Sequence, residues 1–362
     1  MPTLFDPINF GAIASPNRIL MAPLTRGRAT RAAVPTEIMG EYYAQRAAAG
    51  LIVSEATGIS REGLGWPFAP GLWTDEQVEG WKPVVAAVHQ AGGRIVAQLW
   101  HMGRLVHDSV SGMQPVSASA TRALAKAHTF DGKQDLPKAR AATAEDISRI
   151  LGDYAAAARN AIAAGFDGVQ IHGANGYLID QFLRDSSNLR DDEYGGPIAN
   201  RLRFLREVVE AVSSEVGIER TGIRLSPIGE SQGVNDSDKA ALFTAAAAAL
   251  EQLGVPWIEL RESGSQSTFR AADEPPVSPA MRRVYSGKIV LNSDYIRDNA
   301  QARLTEGVAD AISFGRPFIA NPDLVDRFCA DAPLNQPDRA TFYSDGPAGY
   351  TDYPALTEQE AA

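Results

Sequence analysis

Short apolar runs alternate with longer amphipathic, alanine-rich runs along this chain. The apolar runs are RILMAP (18–23), LIVSEAT (51–57), RIVAQLW (94–100), GVQIH (168–172), GIRLSP (222–227), WIELRE (257–262), KIVLN (288–292) and AISFGR (311–316). Each is short, apolar on both faces and rich in branched residues, as strands of a parallel sheet covered on both sides are. Between them lie helix candidates at 35–50, 74–93, 143–165, 198–216, 237–253 and 294–306, a short one near 278–286, and a last one at 322–332. The second opens with Thr74 and an acidic first turn and closes on Gly92 and Gly93, the expected start and stop signals. About eight strand–helix units close a (β/α)8 TIM barrel, an α/β fold. A doubly wound open sheet is the rival; it would use fewer strands at this length and leave two edges.

Two segments depart from the pattern. Residues 103–142 form a Gly/Ser/Pro-punctuated insertion after strand three, and residues 333–362 form a tail containing FYSDGPAGYTDYPAL. Structureless stretches of such length in a compact domain are usually functional covers. We read residues 1–362 as one barrel domain carrying a covering insertion and a C-terminal tail.

Barrels of this type carry chemistry at the carboxyl ends of their strands. Strand one delivers Pro23, Leu24 and Thr25; strand two Glu55 and Ala56; strand three Gln98, Trp100 and His101. Strand four delivers His172, followed by Asn175 and Tyr177. Strand five ends at Arg224, strand seven at Asn292, and strand eight at Gly315 and Arg316. Amide, hydroxyl, imidazole and guanidinium groups dominate. No lysine stands at a strand end for Schiff-base chemistry. A facing pair of carboxylates for glycoside hydrolysis would have to come from Glu55, Glu259 and Glu262, which do not suggest one. The histidines (His89, His101, His107, His128 and His172) are scattered rather than clustered for a metal. The set suits a large, flat, polar-edged anionic ligand. The FGRP turn falls where barrels bind phosphate, with Gly315 admitting the backbone and Arg316 forking two bonds.

Bulk properties narrow the partners. The net charge of -10 argues against nucleic acid. No apolar run is long enough to cross a membrane, and the first residues lack the order of a signal peptide. The single cysteine, Cys329, cannot form an internal disulfide and is read as a packed thiol. A cytoplasmic protein, monomeric or homodimeric, is expected.

At this point the residues resemble a family. MAPLTRGRA (21–29), SEATGIS (54–60), AQLWHMGR (97–104), FDGVQIHGANGYLIDQFLRDSSNLRDDEYGG (166–196), RLSP (224–227), ISFGRPFIANPDL (312–324) and GYTDYP (349–354) are similar to the Old Yellow Enzyme family of FMN-dependent ene-reductases. The bacterial branch that reduces cyclohexenones and nitro compounds is the nearest in character. The resemblance implies that Pro23, Leu24, Thr25, Ala56, Gln98, His172 and Arg224 contact the flavin ring. It implies that Gly315 and Arg316, with backbone near Asn292, hold the phosphate. His172 and Asn175 would grip the substrate oxygen, Tyr177 would donate a proton, and Trp100, Phe269 and Tyr343 would line the pocket. Tyr350 competes with Tyr343 for that last place.

The implied reaction reduces a C=C bond next to a carbonyl or nitro group, with NAD(P)H as electron donor. Hydride from the reduced flavin would reach the β-carbon, while two fixed donors meet the charge growing on the substrate oxygen. A phenol, with an ordinary pKa of about 10, stays protonated until the α-carbon needs it. No GxGxxG follows a strand, so nicotinamide and substrate would share one pocket and give ping-pong kinetics. Gly173 stands where relatives commonly have alanine and would add backbone freedom beside His172. The strand-seven loop, LNSDY, lacks a glycine that many relatives place near the phosphate. Taken one by one, these residues also have plain structural uses: a turn for Asn175, a packed ring for Tyr177, an ion pair for Arg224. A metal-dependent barrel hydrolase or aldolase, and a flavin-binding redox sensor without reductase activity, stay open as alternatives.

Overall fold

Eight parallel strands close into a barrel in the computed structural model, which describes residues 1–264 and 272–356. They are β1 (Ile19–Met21), β2 (Leu51–Gly58), β3 (Ile95–Trp100), β4 (Gly168–His172), β5 (Thr221–Leu225), β6 (Trp257–Arg261), β7 (Lys288–Asn292) and β8 (Ala311–Phe314). Neighbours in sequence are neighbours in the sheet, and β8 pairs with β1 to close it. Every residue of β2 to β6 is buried. That is why their runs are apolar throughout: side chains pointing inward fill the barrel, and those pointing outward meet helices.

The helices after these strands are α1 (Glu37–Ala44), α2 (Asp75–Gln90), α3 (Ala144–Ala163), α4 (Arg203–Val216), α5 (Lys239–Gln252), α6 (Ser278–Arg282), α7 (Arg297–Thr305) and α8 (Leu324–Ala330). In α3 the buried side chains Ile147, Ile150, Tyr154, Ala157, Ala158 and Ala161 recur at helical spacing, and the Thr143 hydroxyl accepts the Asp146 N–H at the start. α1 stops well short of Gly50: beyond Ala44 the backbone continues in i→i−3 turns, and the buried Arg46 there donates to the Phe318 and Ile319 carbonyls. Cys329 is exposed on α8, so the expectation of a packed thiol is wrong; α8 buries Leu324, Val325, Arg327 and Phe328 instead.

Short pairings escape the apolar pattern. A hairpin of Ile8–Phe10 and Ile13–Ser15 plugs the amino-terminal end, with Phe10 edge-on to Trp257 at 5.7 Å between ring centroids. Within the insertion, Lys126–Thr129 pairs with Gly132–Asp135, and Val116–Ser117 lies parallel to Arg140–Ala141. Ala123, Ala127 and Leu136 from this segment pack in one cluster with Ala56 and Trp100 at the opposite end of the barrel. Among the described residues, no helix is long and apolar enough to cross a membrane.

Candidate functional site

The loop after β1 is tied to β2 by a side chain that stands at a bulge. The β2–β3 register shifts between Val53 and Ala56. Such a shift re-aims side chains. Here the Glu55 carboxylate accepts the backbone N–H groups of Arg26 and Gly27 at 3.1 and 3.2 Å. Pro23, Leu24 and Thr25, just before these amides, are half-buried. From the other side, Arg26 donates to the Phe342 and Gly349 carbonyls, and Arg28 to those of Phe342 and Thr341. The loop after β1 is thus held between a strand-two carboxylate and the C-terminal tail. None of this clamp was legible beforehand, since its partners lie up to 323 residues apart.

Burial is the main influence on the Glu55 carboxyl group and pushes it up to about 7, against the opposing Gly27 and Arg26 N–H groups. The native fold therefore favours the protonated acid. That stabilisation is complete at acid pH and is lost as pH rises from the ordinary carboxylate range through about 7. Wild-type protein is expected to lose up to ~3 kcal/mol of stability between about pH 5 and about pH 8 that Glu55→Gln does not lose. Denaturant unfolding at both pH values measures this; parallel losses in the two proteins would mean that Glu55 is not the titrating group.

A chain of buried polar groups crosses the barrel mouth. Gln98 Nε2 donates to Gln170 Oε1 at 2.6 Å, and Gln170 Nε2 donates to Glu259 Oε2 at 2.7 Å. Ser313 donates to the other Glu259 oxygen at 2.6 Å. A carboxylate only accepts, so Glu259 sets the order of the chain and turns the Gln98 carbonyl away from Gln170. Arg224 Nη2 donates to Asn292 Oδ1 at 2.6 Å, and Arg224 Nε lies 3.9 Å from Glu259. That Nε is buried without a hydrogen-bond partner among the described residues.

His172 ends β4, and Asn175 and Tyr177 follow it in the turn before a short helix at Leu178–Leu183. The Ala174 N–H donates to His172 Nδ1 at 3.3 Å. In a neutral imidazole the proton then resides on Nε2. Asn175 has a left-handed backbone, φ +62°, and its N–H donates to Ser226 Oγ at 2.8 Å. Gly176 follows at φ +79°, where a Cβ would come within 2.3 Å of the Ser231 carbonyl. Its N–H donates to Asp180, which is paired with Arg184 in a fully buried bridge. The Tyr177 ring is edge-on to both His172 and Trp100, at 4.9 and 5.0 Å between centroids. Sequence-predicted residues from β3 and β4 are therefore in mutual contact.

Gly173 does not supply the backbone freedom expected of it, since its φ lies outside the left-handed region. It supplies room: a Cβ there would lie 3.1 Å from Leu225 Cδ2 and 3.2 Å from the Arg224 carbonyl.

The remaining predicted residues spread outward. Ala56 is buried in the cluster with Trp100. Gly315 and Arg316 follow β8, and the Arg316 guanidinium is paired with Asp294 of the LNSDY loop. Asn292 bridges Arg224 and the Ser313 carbonyl. Tyr343 is exposed at the rim, beside the stacked rings of Trp66 and His128. Tyr350 is fully buried and stacks on Tyr42 at 4.0 Å, a structural anchor for the tail. Phe269 lies outside the described residues. Arg261, at the end of β6, donates to Asn175 Oδ1 at 2.7 Å and was not foreseen. A signal existed, because Arg261 stands at the end of an apolar strand and Arg224 one residue before the end of another. Among the described residues, no group of three or more His, Cys, Asp or Glu side chains is arranged to hold a metal ion.

Comparison with known proteins identifies the family. Residues 3–335 match the model of the NADH:flavin oxidoreductase / NADH oxidase family. The chain superposes on the old yellow enzyme homologue from Zymomonas mobilis with a TM-score of 0.97 at 59% identity, covering 98% of this chain and 100% of the other. Morphinone reductase in complex with tetrahydroNAD gives a TM-score of 0.93 at 45% identity, with 98% of each chain covered. In sequence, 12-oxophytodienoate reductase 2 of Arabidopsis thaliana is 40% identical over 362 residues, spanning 98% of this chain and 96% of that protein. The closed barrel and these matches show that this chain belongs to the Old Yellow Enzyme family of FMN-dependent NAD(P)H oxidoreductases.

Proposed function

We propose that this protein reduces the activated C=C bond of α,β-unsaturated carbonyl or nitro compounds, with FMN resident in the barrel mouth and NAD(P)H as electron donor. The convergence of His172, Asn175 and Tyr177 at the end of β4 and in the turn after it, beside Trp100, carries this reading.

The residues at the mouth fit FMN. Arg224 offers a buried N–H that lacks a partner among the described residues, and Gln98 turns a carbonyl away from its own amide chain. A ring edge with both acceptors and a donor satisfies such a set. Thr25, Ala56, Gln98 and Arg224 would hold the ring, with Pro23 and Leu24 against it. Gly315, Arg316 and backbone near Asn292 would hold the phosphate. The Arg316–Asp294 pair is part-exposed. Such pairs contribute only ~0–1 kcal/mol, so a phosphate dianion can displace the carboxylate.

When bound, FMN would supply the redox chemistry, taking hydride from NAD(P)H and returning it to the substrate β-carbon. The protein's part is to manage charge and protons. His172, protonated on Nε2, and the NH2 end of Asn175 would donate to the substrate oxygen as negative charge grows there. Removing one such donor commonly slows reaction ~10²–10³-fold. Tyr177 would pass its phenolic proton to the α-carbon.

Anaerobic titration of purified protein tests the reading. The flavin absorption bands are expected to bleach with NADPH and to return on adding 2-cyclohexenone. A protein that is colourless and takes up no FMN would overturn the proposal. Bleaching with no return on any enone or nitroalkene would leave a flavin sensor instead.

A further inference from the structure

Among the described residues, the carboxamide of Asn175 is held from outside its own turn. Ser226 Oγ and the left-handed φ fix its backbone, but the side chain is held from another strand. Arg261 Nε, at the end of β6, donates to Asn175 Oδ1 at 2.7 Å across a sequence separation of 86 residues. Arg261 is 4% exposed, and its Nη1 donates to Ser263 Oγ at 2.9 Å, which steadies the guanidinium.

Two consequences follow from elementary chemistry. A guanidinium has only donors. The Asn175 carbonyl must therefore face Arg261, and the NH2 end is turned the other way. The two ends of a carboxamide are nearly the same size, so packing alone would not choose between them. Charge matters as well. A hydrogen bond from a cation is roughly twice as strong as one from a neutral donor. It draws electron density from the carbonyl and makes the amide N–H groups better donors. A buried positive charge one side chain away also favours an anion beyond the amide.

We infer that Arg261 is a positioning residue of the oxyanion site: it orients the Asn175 carboxamide and strengthens its N–H toward the substrate oxygen. This inference rests on the proposed role of Asn175. The alternative is that Arg261 merely ties β6 to the β4 turn.

Binding of para-chlorophenol to the oxidised, FMN-loaded protein separates these. Its oxygen stands in for the substrate oxygen, and spectral titration across pH reads how strongly the phenolate is preferred. Arg261→Met is expected to weaken phenolate binding about tenfold and to move the pH dependence of binding upward. Arg261→Lys should recover part of the loss. In an Asn175→Ala background, Arg261→Met should add nothing further. Equal effects of Arg261→Met with and without Asn175 would overturn the inference, because the arginine would then act by another route. So would unchanged phenol binding in Arg261→Met while Asn175→Ala weakens it. Unchanged binding in Asn175→Ala alone would instead remove the role of Asn175, a result distinguishable from the other two. Should the methionine variant fail to fold, Arg261→Gln, which keeps a donor without the charge, carries the same comparison and is expected to lose less affinity than Asn175→Ala.

Discussion

Replacing Tyr177 by phenylalanine is expected to leave flavin reduction by NADPH intact while slowing turnover of weakly activated enones ~10²-fold or more. The substitution is conservative in the packing sense. Tyr177 is half-buried, and its ring meets Trp100 and His172 edge-on at 5.0 and 4.9 Å. Phenylalanine keeps both contacts and loses only the hydroxyl. The reductive half-reaction moves a hydride and needs no proton at an α-carbon, so it should not notice. Nitroalkenes should suffer less at the hydride step than enones, because the nitronate product is stable without protonation. Stopped-flow measurement of the two half-reactions separates these effects. Equal slowing of both would make Tyr177 a packing residue and remove its role as proton donor.

Arg224→Met is expected to weaken FMN binding ~10²-fold, so that the protein purifies with little colour. Hydrogen bonds to a charged group contribute ~1.5–3 kcal/mol each, and a buried guanidinium offers more than one. In the fold Arg224 is 5% exposed, donates to Asn292 at 2.6 Å and stands near Glu259. Among the described residues, its removal leaves Glu259 with only neutral partners, Gln170 and Ser313, in a buried place. Stability of the apoprotein should therefore fall too, in the direction seen when one member of a buried ion pair is removed. Arg224→Lys should restore part of both losses. FMN affinity, read by quenching of flavin fluorescence, is the deciding measurement. An apoprotein that melts lower but binds FMN as tightly as wild type would reduce Arg224 to a structural ion-pair partner.

Much of this candidate site was legible in the chain. A strand buried on both faces is a local signal, and so is its carboxyl end. That is why His172, Gln98, Arg224 and Arg316 could be named before any contact was known. The motif HGANGY also announces its turn, since Asn and Gly are the residues that accept positive φ. The clamp on the β1 loop was not legible. Glu55 meets the Arg26 and Gly27 amides at the place where β2 shifts register, and no pattern of apolar positions reports a bulge. Tyr343 and Tyr350 could not be separated either. Both sit in an aromatic-rich tail, and only the stacking of Tyr350 on Tyr42 assigns one to the interior and the other to the rim.

By itself, then, the amino-acid sequence determined the number and order of the barrel strands and which polar residues end them, because both follow from burial patterns a few residues long. Tertiary structure decided what those polar residues do to one another. Which end of the Asn175 amide faces Arg261, the order of donors from Gln98 to Glu259, and the partner of Arg316 all depend on hydrogen bonds between residues 22 to 89 positions apart. A donor or acceptor acquires its direction only when such a partner arrives, and closing the barrel is what brings them together.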